Sequence, residues 1–247
     1  MSASELDTLW IVRHGQSLGN VARDAARGRD DEVLDIAERD MDVPLSAAGR
    51  DQAAAFGRWL ATCPADVLPQ VVLSSPYARS IETADVCLDA AGLDLRVHHD
   101  ERLRERELGV LDLLTRTGFA NRFPDEFRRR ERLGKFYHRP PGGESWVDVA
   151  LRLRSLRDSL VREHADRRVL VFTHEVVIIL LRYLIEDLDE QRALQLSREE
   201  RLANCSLTTF VRDADGRLVV DLDGWTAPLE AGPATVTKEH DAPVAPR

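Results

Sequence analysis

Three short apolar runs, each closing on a polar or cationic residue, constrain this chain most. Thr8-Leu9-Trp10-Ile11-Val12 leads into Arg13-His14, Gln70-Val71-Val72-Leu73 into Ser74-Ser75-Pro76, and Arg168-Val169-Leu170-Val171-Phe172 into Thr173-His174. Runs this short and this rich in β-branched residues read as buried strands. Helical patterns lie between them. Ser46 is an N-cap, followed by Ala53, Phe56, Gly57 and Leu60 at helical spacing. A second helix is predicted from Ala78 to Ala90, stopped by Gly92, and a third from Glu144 to Glu163 with Trp146, Val149, Leu153, Leu156 and Leu160 on one face. Val176 to Ile185 reads as a buried helix, Leu95 to His98 as an edge strand, and Cys205–Val211 with Arg217–Leu222 as a terminal hairpin. The alternation predicts an α/β fold: a three-layer sandwich with a mostly parallel sheet flanked by helices.

Residues 1–225 read as a single domain, long enough to bury a full core. Residues 226–247, rich in Pro, Ala and charge and without period, read as a disordered tail. Residues 102–144 break the rhythm. Between Arg102 and Arg139 stand eleven Arg or Lys against six Asp or Glu, with Phe119, Phe123, Phe127, Phe136 and Tyr137 interleaved. The stretch reads as a helical excursion, either a solvated charged helix with an aromatic stripe or a lid with inward-facing arginines. Its length favours the lid.

A net charge of −9 argues against nucleic acid as a partner. Cys63, Cys87 and Cys205 show neither metal spacing nor a disulfide framework. No signal-peptide pattern opens the sequence, and the run from Val176 to Leu181 is too short to span a bilayer. The expectation is a cytoplasmic protein with no membrane partner.

In a parallel sheet the strand ends share one rim, where ligands bind. Arg13, His14, Arg79 and His174 fall there, Arg79 in the first turn of its helix, where backbone N–H groups also favour an anion. An imidazole can attack phosphorus, and guanidinium groups hold phosphate oxygens by paired hydrogen bonds. Each residue alone has a plain structural reading; together they make a phosphate cage. His98-His99-Asp100 resembles a metal cluster, but neighbouring strand residues face opposite ways, so no metal is assigned.

The ordered set Arg13-His14-Gly15-Gln16-Ser17…Asn20, Pro44-Leu45-Ser46…Gly49, Ser74-Ser75-Pro76…Arg79…Thr83-Ala84, Leu103-Arg104-Glu105…Gly109, Gly143-Glu144-Ser145, Thr173-His174 and Asn204-Cys205 resembles the histidine phosphatase superfamily, in its phosphoglycerate-mutase-like branch. The resemblance implies that His14 is the nucleophile and that Arg13, Asn20, Arg79 and His174 contact the phosphoryl group. It makes Glu105 the general acid and base, with a pKa raised by burial or shared hydrogen bonds. Glu107 competes for that role, but the spacing from Leu103 to Gly109 favours Glu105. Gln16, Ser17, Arg106 and Arg116 follow as further substrate contacts, the two arginines standing where mutases carry extra cations. No cofactor and no metal are implied.

Two departures stand out: Glu175 occupies the position after the second histidine, where the family has Gly, and Val110-Leu111-Asp112 replaces a Trp-Glu-Gly-like sequence. The first reading is a phosphomonoester hydrolase working through a phosphohistidine. A cofactor-dependent phosphoglycerate mutase comes second, since Leu108 stands where mutases have an aromatic hydroxyl. A catalytically silent phospholigand-binding protein comes third, because nucleophile and acid are both retained. The partner is a small phosphorylated substrate, and the arginine excess of the excursion favours a multiply anionic one. A homodimer is compatible with the family, though no residue points to it.

Overall fold

Side chains along the two central strands alternate strictly between the faces of one sheet, and this sorts the helices into two layers. A computed structural model describes residues 6–199, 201–232 and 234–238. In chain order the elements are β1 (Thr8–Arg13), α1 (Leu18–Ala25), α2 (Ala47–Leu60), β2 (Val71–Ser74), α3 (Ala78–Ala91), β3 (Val97–His99), α4 (Arg116–Arg122) and α5 (Pro124–Tyr137). There follow α6 (Trp146–His164), β4 (Arg168–Thr173), α7 (Glu175–Ile185), α8 (Glu190–Glu199), β5 (Leu207–Arg212), β6 (Leu218–Trp225) and α9 (Ala227–Glu230). The strand order is β3-β2-β4-β1-β5-β6. β1, β2, β3 and β4 run parallel, and β5 and β6 add an antiparallel hairpin beside β1.

Leu9, Ile11, Val169 and Val171 join a core with Trp146, Val149, Leu153 and Leu156 of α6 and Ile178 to Leu181 of α7. Val12, Leu170 and Phe172 face the other way, onto Phe56 and Leu60 of α2 and Ala84, Cys87 and Leu88 of α3. The period of two along each strand thus makes the predicted three layers. Helix ends follow local chemistry. Ser17, Ser46, Thr115 and Ser145 each accept a backbone N–H at a helix start, and Gly92, at φ +65°, closes α3 in the left-handed conformation.

The loop after β1 rests directly on α2. A Cβ at Gly49 would lie 2.1 Å from the Gln16 carbonyl oxygen, and one at Gly15 would lie 2.5 Å from the Gly49 oxygen. Only two glycines allow backbone to meet backbone here, which fixes the height of residues 14–16 above the sheet.

The excursion forms two helices, with Pro124 opening α5 and Gly134 breaking it at φ +77°. Phe119 and Phe136 are buried, Phe119 meeting Phe127 edge-on and Phe136 packing on Trp146, while Tyr137 is exposed. It is stitched to the segment before α2, where Leu34 N–H donates to the Leu113 carbonyl, Thr115 N–H to the Glu32 carbonyl, and Asn121 and Arg122 to the Glu32 carboxylate.

The disordered tail expected from residue 226 does not fit residues 226–232 and 234–238. α9 buries Leu229 completely, and Gln52 donates to the Thr235 carbonyl and the Thr237 hydroxyl. A single buried leucine contributes about 2 kcal/mol without any hydrophobic period in the sequence. Residues 239–247 of that stretch lie outside the described residues.

Replacing Gly49 by Ala forces the Gln16 backbone away from α2. The expected cost is about 2–3 kcal/mol, read as a lower urea midpoint at unchanged slope. An unchanged midpoint would show that the loop yields freely.

Candidate active site

Register brings the site together. Arg13 pairs with Thr173 across β1 and β4, so His14 and His174 leave adjacent strands at the same level. His14 N–H donates to the Thr173 carbonyl (2.9 Å), and Ser75 N–H to the Phe172 carbonyl (3.0 Å), bringing the end of β2 alongside. The two imidazole centroids lie 5.1 Å apart. α1, α3 and α7 all start at this rim, so their N-termini add positive potential to it.

His14 is 3 % exposed, and its Nδ1 lies 2.7 Å from the Gly15 carbonyl oxygen. A carbonyl only accepts, so the ring proton sits on Nδ1 and the Nε2 lone pair is available for attack. Burial, then the charges of Arg79, Arg13 and Arg23, hold its pKa well below the usual imidazole value. His174 is fully buried and lowered by the same causes, burial first and then Arg79. Its Nε2 meets the Ser75 hydroxyl at 2.8 Å, while Nδ1 is buried with no hydrogen-bond partner. With Ser75 donating to Nε2, the proton of His174 stays on Nδ1, aimed into the site.

Each of the two guanidinium groups donates to a carbonyl oxygen and has a carboxylate beside it. Arg13 donates to the Leu202 carbonyl, and Arg79 to the Asp40 carbonyl (2.6 Å) and carboxylate (3.1 Å). The Arg79 guanidinium also lies over the Tyr77 ring, whose edge meets His174. Asn20 Oδ1 accepts from Ser17 N–H and from Asn204 Nδ2, which also donates to the His14 carbonyl. Asn20 and Ser17 therefore brace the His14 loop through the α1 capping box. The Gln16 carboxamide oxygen is taken by the Ser46 hydroxyl (2.8 Å).

Glu105 stands across from His174, with Oε2 at 3.9 Å from Nδ1. Burial raises its pKa to about 7, against the pull of the Arg106 N–H and Arg79. The Glu107 Oε1 accepts from Gly109 N–H (3.3 Å). Arg106 and Arg116 are turned elsewhere. Arg106 donates to the Glu144 and His138 carbonyls, and burial lowers it to about 10; Arg116 stacks over Phe127. Arg106 and Arg116 thus hold carbonyls and a phenyl ring rather than facing the cage.

Spacing did not reveal Arg152 and Glu144. Arg152 donates to both Glu144 oxygens and to the Arg102 and Glu105 carbonyls, while Glu144 accepts from Arg104 and from Glu107 N–H. This network positions the Glu105 loop, and only the Gly143-Glu144-Ser145 motif hinted at it. Glu175 at the start of α7 turns inward: it accepts from Leu202 N–H (3.3 Å) and lies 4.0 Å from Arg13.

A model of the histidine phosphatase superfamily (branch 1) matches residues 9–223. A 2,3-bisphosphoglycerate-dependent phosphoglycerate mutase 2 of Gloeobacter violaceus is 33 % identical over 211 residues, covering 84 % of this chain and 87 % of its own. Among solved structures, a mycobacterial glucosyl-3-phosphoglycerate phosphatase with VO3 is similar at a TM-score of 0.67 and 29 % identity, over 89 % of this chain and 99 % of its own. Bacillus stearothermophilus YhfR is similar at 0.69 and 25 % identity, over 90 % and 98 %.

Glu175→Gln removes the charge beside Arg13 and keeps the shape. We expect KM for a phosphate ester to change by about fivefold, matching a pair worth about 1 kcal/mol, with kcat nearly constant. A fall in kcat alone would place Glu175 in the chemical step instead.

Proposed function

The chain belongs to the histidine phosphatase superfamily (branch 1), and on that premise we propose that it hydrolyses phosphomonoesters through a phosphohistidine on His14. The observation that carries this reading is the neutral His14 ring, with its proton held on Nδ1 by Gly15, beside a His174 that has Glu105, of pKa about 7, at 3.9 Å. His14 Nε2 forms a bond to phosphorus as the ester oxygen leaves, and Glu105 gives that oxygen its proton. The positive charge gained by the ring is stabilised by the Gly15 carbonyl. Arg13, Arg79 and His174 Nδ1–H hold the phosphoryl oxygens, and Asn20 steadies the loop. Glu105, now a carboxylate, takes a proton from water as the water oxygen attacks phosphorus. The N–P bond breaks and inorganic phosphate leaves.

A mutase needs cations to retain a bisphosphate, and Arg106 and Arg116 are engaged within the lid. That favours hydrolysis. No helix among the described residues is long and apolar enough to cross a membrane. The free thiols of Cys63, Cys87 and Cys205 fit the cytoplasm.

Phosphate release from p-nitrophenyl phosphate, with the acid-labile phosphohistidine trapped by an alkaline quench, tests the reading. Both signals should vanish in His14→Ala. Isomerisation of 3-phosphoglycerate without net phosphate release would make the chain a mutase, and no adduct at all would refute catalysis.

The pH profile follows from the two groups. Glu105 must be protonated and His14 neutral, so kcat/KM should fall above about pH 7 and hold down to the lowered His14 pKa. Glu105→Gln should remove the alkaline limb for a good leaving group. Persistence of that limb would assign it to another residue.

A further inference from the structure

The two carboxyl oxygens of Glu105 are not equivalent. Oε1 accepts the Arg106 N–H at 2.8 Å, and Oε2 lies on the His174 side, 3.9 Å from Nδ1. An N–H donor pairs best with the carbonyl oxygen of a protonated carboxyl, so Oε1 is that oxygen and the proton of the acid form sits on Oε2. The aim of that proton therefore depends on the main chain of residues 105 and 106.

One ion pair fastens that main chain. Arg152, on α6, donates to both oxygens of Glu144, at 3.0 and 3.1 Å. The same guanidinium donates to the Arg102 carbonyl (2.6 Å) and the Glu105 carbonyl (3.2 Å). From the other end, Glu144 Oε2 accepts the Glu107 N–H (3.1 Å), and the Glu144 N–H donates to the Glu107 carbonyl (2.8 Å). The acid is thus clasped on both sides along the chain. Both members of the pair are largely buried, so removing either leaves the other uncompensated, and the two act as one device.

The phosphate cage stands on other supports: Gly15 for His14, Ser75 for His174, Leu202 for Arg13 and Asp40 for Arg79. Thr173 Oγ1 holds the Leu103 carbonyl (2.8 Å), so a broken pair frees residues 105–107 rather than the whole loop.

We propose that Arg152 and Glu144 are positioning residues for the general acid. They hold the Glu105 main chain so that the Oε2 proton meets the leaving oxygen, and they serve protonation of the leaving group rather than phosphate binding. This rests on the phosphatase reading.

The test uses two esters of similar size. The phenolate of p-nitrophenyl phosphate leaves without a proton, whereas the alkoxide of benzyl phosphate needs one. kcat/KM is the readout, because it ends at formation of the phosphohistidine and leaves out the attack of water. In Arg152→Met, kcat/KM for benzyl phosphate should fall about thirtyfold or more, within what a positioned acid contributes, and for p-nitrophenyl phosphate by about threefold at most. Glu144→Gln, which keeps the side chain's volume, should shift the ratio of the two esters in the same direction. Arg152→Lys keeps the charge, but one ammonium cannot reproduce the guanidinium fork, so its ratio should match that of Arg152→Met. The ratio does not depend on how much of a variant folds. An equal fall for both esters overturns the proposal and leaves the phosphatase reading intact. So does a wild-type ratio in Arg152→Lys, which would reduce the pair to its charge. Failure of the unaltered protein on both esters, with no His14 adduct, overturns the underlying reading instead.

Discussion

The parallel pairing of β1 with β4 is the constraint on which the site depends. Arg13 opposite Thr173 sets the level at which two imidazoles leave the sheet, and the Phe172 carbonyl brings Ser75 to the same level. A slip of one residue would exchange the two faces of a strand and send its side chains into the wrong core. Catalytic geometry and core packing are therefore one requirement. Leu9 and Ile11 on one face and Val12 on the other fix the register that presents His14.

A single physical cause then prepares both halves of the acid–base chemistry. Burial disfavours charge, so it lowers the two histidines and raises Glu105. A neutral nucleophile and a proton-bearing acid coexist near neutral pH because they share one desolvated space. Arginine enters that space on mixed supports: Arg13 donates to the Leu202 carbonyl with the Glu175 carboxylate 4.0 Å away, and Arg79 donates to both the carbonyl and the carboxylate of Asp40.

What was legible in the sequence is what short-range pattern encodes. Strand ends carry Arg13, His14, Thr173 and His174, and β4 spans the predicted residues, because an apolar run must stop where the chain turns polar. Arg79 was visible through helix-start position, and Glu105 through its resemblance to a motif. The direction of a long side chain is not encoded this way. Arg106 and Arg116 sit at suggestive spacings, yet two distant carbonyls and one phenyl ring capture them. Arg152 was invisible because its partners are set by the fold: Glu144 lies eight residues earlier, before α6 begins, and the Glu105 carbonyl 47 residues away. α8 went unread because its polar turns carry a weak apolar stripe, with Ala193 and Leu196 its buried hydrophobics.

The stretch around Thr237 has a consequence for how stiff the nucleophile's loop is. Gln52 accepts from Gln16 N–H and donates to Thr235 and Thr237, while Asn204 donates to the His14 carbonyl and exchanges two hydrogen bonds with Thr237. One threonine therefore anchors both amide side chains that grip residues 14–16 from either side. The spacing between α9 and Thr237 acts as the tension on a strap. Lengthening it would slacken both grips together, and slow amide exchange at Gln16 would quicken although nothing near His14 had changed.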